Sequence, residues 1–101
     1  MIKPTIIITG ANGFIGECLV KHFHDLGWKI KALVHKIPQE VFTTVEYVVY
    51  KIEEKPDEEL FIGADYLVHC AYLRFEKNHH ADQLNIQATK WLVEQIGRAH
   101  V

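Results

Sequence analysis

A glycine-rich stretch between two apolar patterns of different period is the feature that most constrains this chain. Gly10, Gly13 and Gly16 come directly after Thr9 and the apolar run of three isoleucines at residues 6–8. Consecutive β-branched residues of this kind are typical of a strand that is buried on both faces of a parallel sheet. Beyond the glycines, apolar residues recur at helical spacing. We therefore predict that the glycines form the turn between a strand and a helix.

The predicted helix is followed by a second strand. The apolar stripe expected to face the sheet comprises Ile15, Leu19, Val20, Phe23 and Leu26. Gly27 is expected to end the helix in a left-handed conformation. Residues 28–34 then have the pattern of a strand, so that residues 6–34 have the length of one strand–helix–strand unit.

The rest of the chain repeats this alternation. Residues 45–50 are rich in β-branched and aromatic side chains and predict a third strand. A short helix is expected from Pro56, a fourth strand over residues 66–71, and a last helix that Asp82 caps and that stops at Gln95. Alternating strands and helices predict an α/β fold, with a parallel sheet covered by helices on both faces.

Composition excludes several classes of function. A chain of 101 residues can bury one modest core, and its net charge of −2 offers no basic face for nucleic acid or an anionic membrane. No apolar run approaches the roughly 20 residues that cross a bilayer, and the first residues lack the pattern of a secretory signal. We expect a cytoplasmic protein whose partners include neither nucleic acid nor membrane. Cys18 and Cys70 are expected to be buried, reduced thiols.

The glycine turn has the context of a phosphate-binding loop. Gly10 would permit the sharp turn, Gly13 would let the backbone approach a pyrophosphate, and Gly16 would let the helix pack closely on the sheet. The N–H groups of residues 12–15 would face the phosphates at the positive end of the helix. The alternative is a glycine-rich loop that binds nothing. A Walker-type P-loop is disfavoured because no Gly-Lys-Ser/Thr follows.

The spacing Gly10-x-x-Gly13-x-x-Gly16 carries a family resemblance. The string TGANGFIG at residues 9–16 closely resembles the cofactor motif of the extended short-chain dehydrogenase/reductases, the NAD-dependent epimerase/dehydratase group. DYLVHCAY at residues 65–72 is similar to that family's fourth strand, which typically ends in His-x-Ala-Ala. NIQATKWLV at residues 85–93 is similar to its next helix, which usually begins Asn-x-x-Gly-Thr. The resemblance covers about residues 3–95 and implies a Rossmann-like, doubly wound sheet of strand order 3-2-1-4, here truncated after about four strands.

The resemblance also implies a cofactor site but no catalytic residue or metal site within the chain. The family's catalytic Tyr-x-x-x-Lys follows a fifth strand, and Tyr72 is not that tyrosine because Glu76 stands four residues later. Lys51 occupies the position of the family's adenine-side aspartate, although Ile52 could still cover a ring face. The expected cofactor-binding residues are Gly10, Ala11, Asn12, Gly13, Phe14, Ile15, Gly16, His35, Lys36, Ile52, Ala71 and Tyr72.

His35 and Lys36 indicate which dinucleotide is bound. A carboxylate at the end of the second strand would bind the ribose 2′-hydroxyl of NAD. This chain has His35 and Lys36 there instead, and these side chains would attract the 2′-phosphate of NADP. The sequence therefore favours NADP over NAD. The alternative is that Lys36 only solvates a strand end.

Two functions remain open. The first is the NAD(P)-binding half of an epimerase-, dehydratase- or reductase-type oxidoreductase that acts by hydride transfer on a sugar-nucleotide or other hydroxyl/ketone substrate, in a parent protein that could be a homodimer. The second is a non-catalytic NAD(P)-binding sensor or regulatory module. Both interpretations treat residues 1–95 as a partial NAD(P)-binding domain that is inactive by itself. Residues 96–101, Ile-Gly-Arg-Ala-His-Val, are also the translation of a widely used sequencing adapter, and we expect them to be a non-native tail.

Overall fold

Strands and helices alternate along the chain as the sequence predicts. The computed structural model describes residues 2–74 and 79–99. Within these ranges the sheet contains four parallel strands in the order β3-β2-β1-β4, which confirms the predicted α/β topology. The elements are β1 (Thr5–Thr9), α1 (Phe14–Asp25), β2 (Lys29–Val34), β3 (Glu46–Val49), a 3-10 helix (Glu58–Phe61), β4 (Tyr66–His69) and α2 (Ala81–Arg98).

β1 lies at the centre of the core and is buried on both faces. Ile6 and Ile8 pack into a cluster with Val20 of α1, whereas Ile7 packs into a second cluster with Ala88 and Leu92 of α2. Because side chains alternate along a strand, each face of β1 requires its own apolar cover. The run of three isoleucines is therefore the sequence signature of a strand between two helical layers.

The buried face of α1 differs from the predicted stripe. Gly16 and Val20 are buried, but Ile15 and Leu26 are exposed. α1 packs against the glycine turn through Gly16. The face that contains Gly16 is therefore buried, and Ile15 is exposed to solvent. Cys18 lies on the exposed side of α1, which makes the prediction of a buried thiol wrong for this residue.

The end of α1 follows the predicted glycine cap. Gly27 has φ +79°, its N–H donates to the carbonyl of His24, and the N–H of Trp28 donates to the carbonyl of Phe23. These two bonds define a Schellman motif, in which a left-handed residue reverses the chain at a helix end. The motif directs residue 28 toward the start of β2.

Both ends of α2 differ from the prediction. His80, not Asp82, occupies the N-cap position, and Asp82 lies in the first turn. The helix continues beyond Gln95 to Arg98, because Ile96 and Ala99 pack against the same core cluster as Leu92. This burial outweighs the cost of one glycine near a helix end, about 1 kcal/mol. That residues 96–101 are a non-native tail is not tested by the extent of the helix and stays a prediction.

Neither helix is long and apolar enough to cross a membrane, judged over the residues that the structure describes.

Tyr50, directly after β3, carries a buried hydroxyl that no described residue binds. Its side chain is 7% exposed and packs in the cluster beneath α2. Burial, assisted by the nearby carboxylate of Glu53, raises the pKa of Tyr50 to about 12. The neutral phenol is thus favoured in the folded chain, but its donor is left without an acceptor.

We expect Tyr50→Phe to leave the stability unchanged or to raise it by about 1 kcal/mol, since it removes an unpaired buried hydroxyl and keeps the ring. In the unmodified chain, the unfolded tyrosine loses its proton near pH 10 and the folded one near pH 12. The stability linked to this group is complete below pH 10 and is lost as the pH rises toward 12. Urea unfolding at several alkaline pH values checks both points, and an equal alkaline loss in Tyr50→Phe would contradict the assignment to Tyr50.

Candidate functional site

The turn between β1 and α1 is closed by backbone hydrogen bonds. Gly10 has φ +64°, a conformation that residues with a Cβ rarely adopt. The N–H of Gly13 donates to the carbonyl of Gly10 at 3.0 Å, and the N–H of Ala11 donates to the carbonyl of Leu33 at 3.2 Å. The first bond tightens the turn, and the second ties it to the end of β2.

Two of the glycines are required by close packing. A Cβ on Gly10 would lie 2.7 Å from the backbone nitrogen of Ala71 and 2.8 Å from the carbonyl carbon of Cys70. A Cβ on Gly16 would lie 2.1 Å from the carbonyl oxygen of Gly10. The turn is therefore held between the first turn of α1 and the Cys70–Ala71 peptide. Gly16 packs against the glycine turn itself, which is a closer contact than the helix–sheet packing expected for it.

The N-terminus of α1 opens at this turn. Gly13 is the N-cap residue in an extended conformation, and no side chain caps the helix. The N–H groups of the first helical turn have no partner inside a helix, and they carry the positive end of its dipole. Gly10 and Gly13 have no side chain to cover the backbone of the turn, and an open backbone beside such a helix end fits a diphosphate group.

A cleft of about 900 Å³ lies at the carboxyl ends of the strands. This is the edge at which open parallel sheets bind their ligands. The cleft is lined by the glycine turn, the residues directly after β2 and β3, and the loop after β4. Its lining residues are Gly10, Asn12, Gly13, Leu33, His35, Tyr50, Lys51, Ile52, Glu53, Cys70, Ala71, Tyr72, Leu73 and Arg74.

Seven of the residues expected to bind the cofactor line this cleft, namely Gly10, Asn12, Gly13, His35, Ile52, Ala71 and Tyr72. The other five do not line it. Ala11 is buried and Gly16 lies beneath the turn. The side chains of Phe14 and Ile15 are 87% and 65% exposed, which leaves only their N–H groups at the helix end as candidate contacts. Lys36 is exposed beside His35 but outside the cleft lining.

Several residues that line the cleft are not among those expected to bind the cofactor. Leu33, Tyr50 and Glu53 reach the cleft because Val34 pairs with Val49, which brings the ends of β2 and β3 level. Cys70 reaches it because Thr9 pairs with His69, which brings the ends of β1 and β4 level. Strand ends are the least certain part of a sequence prediction, so these pairings were not available from the pattern alone. Lys51, which the sequence comparison aligns with the adenine-side aspartate of the similar family, also lines the cleft.

A hydrogen-bond network centred on Thr9 fixes the loop after β4. Thr9 is fully buried, and its hydroxyl accepts the N–H groups of Cys70 at 3.0 Å and Ala71 at 3.1 Å. The same hydroxyl lies 2.5 Å from Nδ1 of His69. Burial of the His69 ring lowers its pKa. These contacts make His69 a partly buried, hydrogen-bonded histidine at the end of β4.

Asn85 of α2 fixes the next part of that loop. Its Oδ1 accepts the N–H of Leu73 at 2.8 Å, and its Nδ2 donates to the carbonyl of Leu73 at 3.0 Å. This paired contact holds the loop at a defined distance from α2. Asn85 is thus a supporting residue of the cleft, consistent with its place in the motif at residues 85–93.

The described residues that line the cleft carry charges of both signs. Among them, Lys51 and Arg74 are cationic and Glu53 is the one carboxylate. Burial raises the pKa of the Cys70 thiol, which disfavours the thiolate that a nucleophile requires. Among the described residues, no group of three or more His, Cys, Asp or Glu side chains could hold a metal ion.

The glycine contacts give a matched pair of substitutions. We expect Gly16→Ala to destabilise the chain by about 2 kcal/mol or more, because its Cβ would meet the Gly10 carbonyl, which is backbone and cannot move independently. Gly97→Ala is the control: its Cβ meets nothing within 4 Å, and alanine should add up to about 1 kcal/mol in a helix. Chemical denaturation of both variants checks the difference, and equal effects would contradict the close contact.

Comparison with known proteins places these features in a family. The model of the NAD dependent epimerase/dehydratase family matches residues 6–101. No curated protein sequence matches the chain. A short chain dehydrogenase from Leptospira borgpetersenii, solved with bound NAD+, has a TM-score of 0.77 at 20% identity over 97% of this chain and 46% of its own.

Two further solved structures are similar in fold. MoeE5, solved in complex with UDP-glucose and NAD, has a TM-score of 0.80 at 20% identity and covers 96% of this chain and 33% of its own. The nucleoside-diphosphate sugar epimerase from Corynebacterium glutamicum has a TM-score of 0.69 at 28% identity over 92% of this chain and 19% of its own. The chain thus spans less than half the length of each of these structures. Since the family model matches nearly the whole sequence, the chain belongs to the NAD dependent epimerase/dehydratase family.

Proposed function

We propose that this chain is the dinucleotide-binding part of an NAD(P)-dependent epimerase, dehydratase or reductase that acts by hydride transfer. The observation that carries the proposal is the turn at residues 10–13, in which Gly10 and Gly13 line a cleft of about 900 Å³ beside the uncapped N-terminus of α1. Such a helix end binds phosphate groups through its free N–H donors. Membership of an NAD-dependent family supports the same ligand.

Different parts of the cleft would hold different parts of the cofactor. The turn at Gly10 and Gly13 would hold the pyrophosphate. The residues after β2 and β3, among them His35 and Ile52, would contact the adenosine part, and Ala71 and Tyr72 would flank the cofactor from the loop after β4. A bound nicotinamide dinucleotide supplies the hydride acceptor or donor. The described residues of this chain would bind and orient the cofactor, and we expect the chain by itself to turn over no substrate.

Charge at the adenosine end favours NADP over NAD. No carboxylate follows β2, where His35 lines the cleft and Lys36 lies next to it. Lys51 adds a cation at the end of β3, and Glu53 is the one opposing charge among the described residues of the cleft lining. A 2′-phosphate would meet attraction from these cations, whereas the carboxylate that selects the 2′-hydroxyl of NAD is missing from the end of β2.

The family and two of the similar structures support a proposal for the substrate class. MoeE5 was solved with UDP-glucose and the Corynebacterium protein is a nucleoside-diphosphate sugar epimerase. We propose a sugar-nucleotide, or another substrate with a hydroxyl or ketone carbon, for the protein that contains this chain. The full-length protein is then expected to carry a Tyr-x-x-x-Lys pair beyond residue 95. Reading the gene past codon 95 tests this, and a full-length frame without that pair would favour a non-catalytic sensor.

Calorimetric titration of the chain with NADPH and NADH tests the cofactor. We expect NADPH to bind more tightly, and His35→Asp to weaken NADPH roughly tenfold, about 1.4 kcal/mol, because a carboxylate would repel the 2′-phosphate. The same variant should bind NADH at least as tightly as the unmodified chain does.

Lys36→Gln is the matched comparison. Because Lys36 lies outside the cleft lining, its loss should weaken NADPH less than His35→Asp does. A clear preference of the unmodified chain for NADH would refute the NADP assignment while leaving dinucleotide binding in place. Failure to bind either cofactor would refute the proposed function itself.

A further inference from the structure

The Thr9 hydroxyl has a fixed direction, because its hydrogen-bonding capacity is used completely. A hydroxyl carries one hydrogen and accepts through two lone pairs. Both acceptor positions of Thr9 Oγ1 are taken, by the N–H groups of Cys70 and Ala71. The N–H of Cys70 also reaches the Thr9 carbonyl at 3.2 Å, but its distance to Oγ1 is shorter, at 3.0 Å.

The hydrogen of Thr9 must therefore point at the third neighbour, Nδ1 of His69. If Nδ1 carried a proton, the hydroxyl would face three N–H donors, and its own hydrogen would lie in a fully buried site without an acceptor. A buried donor left in this way costs about 1–3 kcal/mol. Nδ1 is thus the acceptor, and the neutral ring carries its proton on Nε2.

This network ends at the peptide that supports the glycine turn. Thr9 Oγ1 accepts the N–H of the Cys70–Ala71 peptide, which is that of Ala71, and the N–H of the peptide before it, which is that of Cys70. The Cys70–Ala71 peptide lies against Gly10, where a Cβ would come within 2.7 Å of the Ala71 nitrogen. Both residues of that peptide and Gly10 line the cleft. Protonating Nδ1 would turn the acceptor of the Thr9 hydrogen into a donor, and Thr9 would have to give up its bond to the N–H of Cys70 or of Ala71.

We propose that His69 is a positioning residue for the cleft: as the neutral Nε2–H tautomer it holds the Cys70–Ala71 peptide against Gly10 through Thr9, and its protonation releases that peptide and weakens dinucleotide binding. The effect on binding rests on the proposed function, whereas the tautomer and the movement of the peptide do not. Binding of a dinucleotide in the cleft and binding of a proton at His69 then oppose each other through this hydrogen-bond network, although they take place at different groups.

The sign of the pH dependence follows from burial of the ring. The pKa of His69 is lowered, so that the folded chain keeps this histidine neutral when an unfolded one would already bind a proton. The stability linked to His69 is complete above pH 6.5 and is lost as the pH falls toward its folded pKa. Other ionisable groups lie on the elements around it, so the ring itself must be observed. These groups are Cys70, Tyr72 and Arg74 on the loop after β4, and His79, His80 and Asp82 at the start of α2.

Nitrogen-15 NMR of the histidine rings in the full chain, without cofactor, tests the first part. We expect the His69 ring to show a protonated Nε2 and a bare Nδ1 at pH 8, and the amide signals of Gly10 and Ala71 to shift with the same midpoint as that ring on acidification. A proton on Nδ1 at pH 8 would overturn the proposal. So would amide signals at Gly10 and Ala71 that do not follow the ring.

Variants at Thr9 and at His69, the two ends of the hydrogen bond, separate a positioning role from a general loss of stability. Thr9→Ser keeps the hydroxyl and should preserve the coupled shifts, whereas Thr9→Val keeps the shape and should abolish them. His69→Gln offers an amide oxygen to Thr9 but does not titrate, so the Gly10 and Ala71 amides should stay constant from pH 8 to pH 5. If Thr9→Val showed the same coupled shifts as Thr9→Ser, the role of the hydroxyl would be contradicted. Urea unfolding at pH 8 checks that each variant folds.

Binding of NADH across the same pH range tests the second part. The measurement is made in a His35→Gln background, because His35 lines the same cleft and a second histidine there would obscure the effect of His69. With His69 present, we expect the affinity to fall on acidification, on the order of tenfold for each pH unit below the ring pKa. With His69→Gln the profile should be flat. Equal pH profiles with His69 and with His69→Gln would refute the link between this histidine and binding. A chain that binds no dinucleotide at pH 8 would refute the proposed function. The NMR result would still decide the role of His69 in that case.

Discussion

The contact between the glycine turn and the Cys70–Ala71 peptide is the constraint on which the rest of the site depends. β1 and β4 run parallel with Thr9 opposite His69, and the chain leaves both strands at the same level of the sheet. Gly10 can turn sharply there only because it has no Cβ, since an added carbon would meet the peptide after β4. The two chain segments thus pack backbone against backbone, which few side chains would permit.

That contact also determines how α1 approaches the sheet. Gly16 lies over the carbonyl of Gly10, so the first turn of the helix rests on the glycine turn. The close approach rotates the helix, buries Val20 and leaves Ile15 in solvent. It also places the N-terminus of the helix directly after the turn that lines the cleft. The shape of the cleft and the orientation of the helix are therefore consequences of the same two missing side chains.

Polar groups around the turn serve to keep this backbone packing in place. Thr9 uses a buried hydroxyl to hold two N–H groups of the loop after β4, and Asn85 holds Leu73 further along the same loop. The bonds to Ala71 and Leu73 satisfy backbone groups beyond the end of β4, and the bond to Cys70 adds to the one that its N–H makes with the Thr9 carbonyl. A loop that is tied in this way can line a ligand cleft without collapsing into it.

Local pattern was sufficient to determine much of this protein. The isoleucine run, the spaced glycines and the alternation of strands with helices predicted the topology, because periodicity and the conformational freedom of glycine are properties of short segments. Only the tertiary structure decided which side of α1 is buried, how far α2 extends, and that Tyr50, Glu53 and Cys70 reach the cleft. It also decided that Thr9 and His69 share one hydrogen bond although 60 residues separate them. These features depend on strand register and on contacts between distant segments, and no local pattern encodes the distance between two such segments.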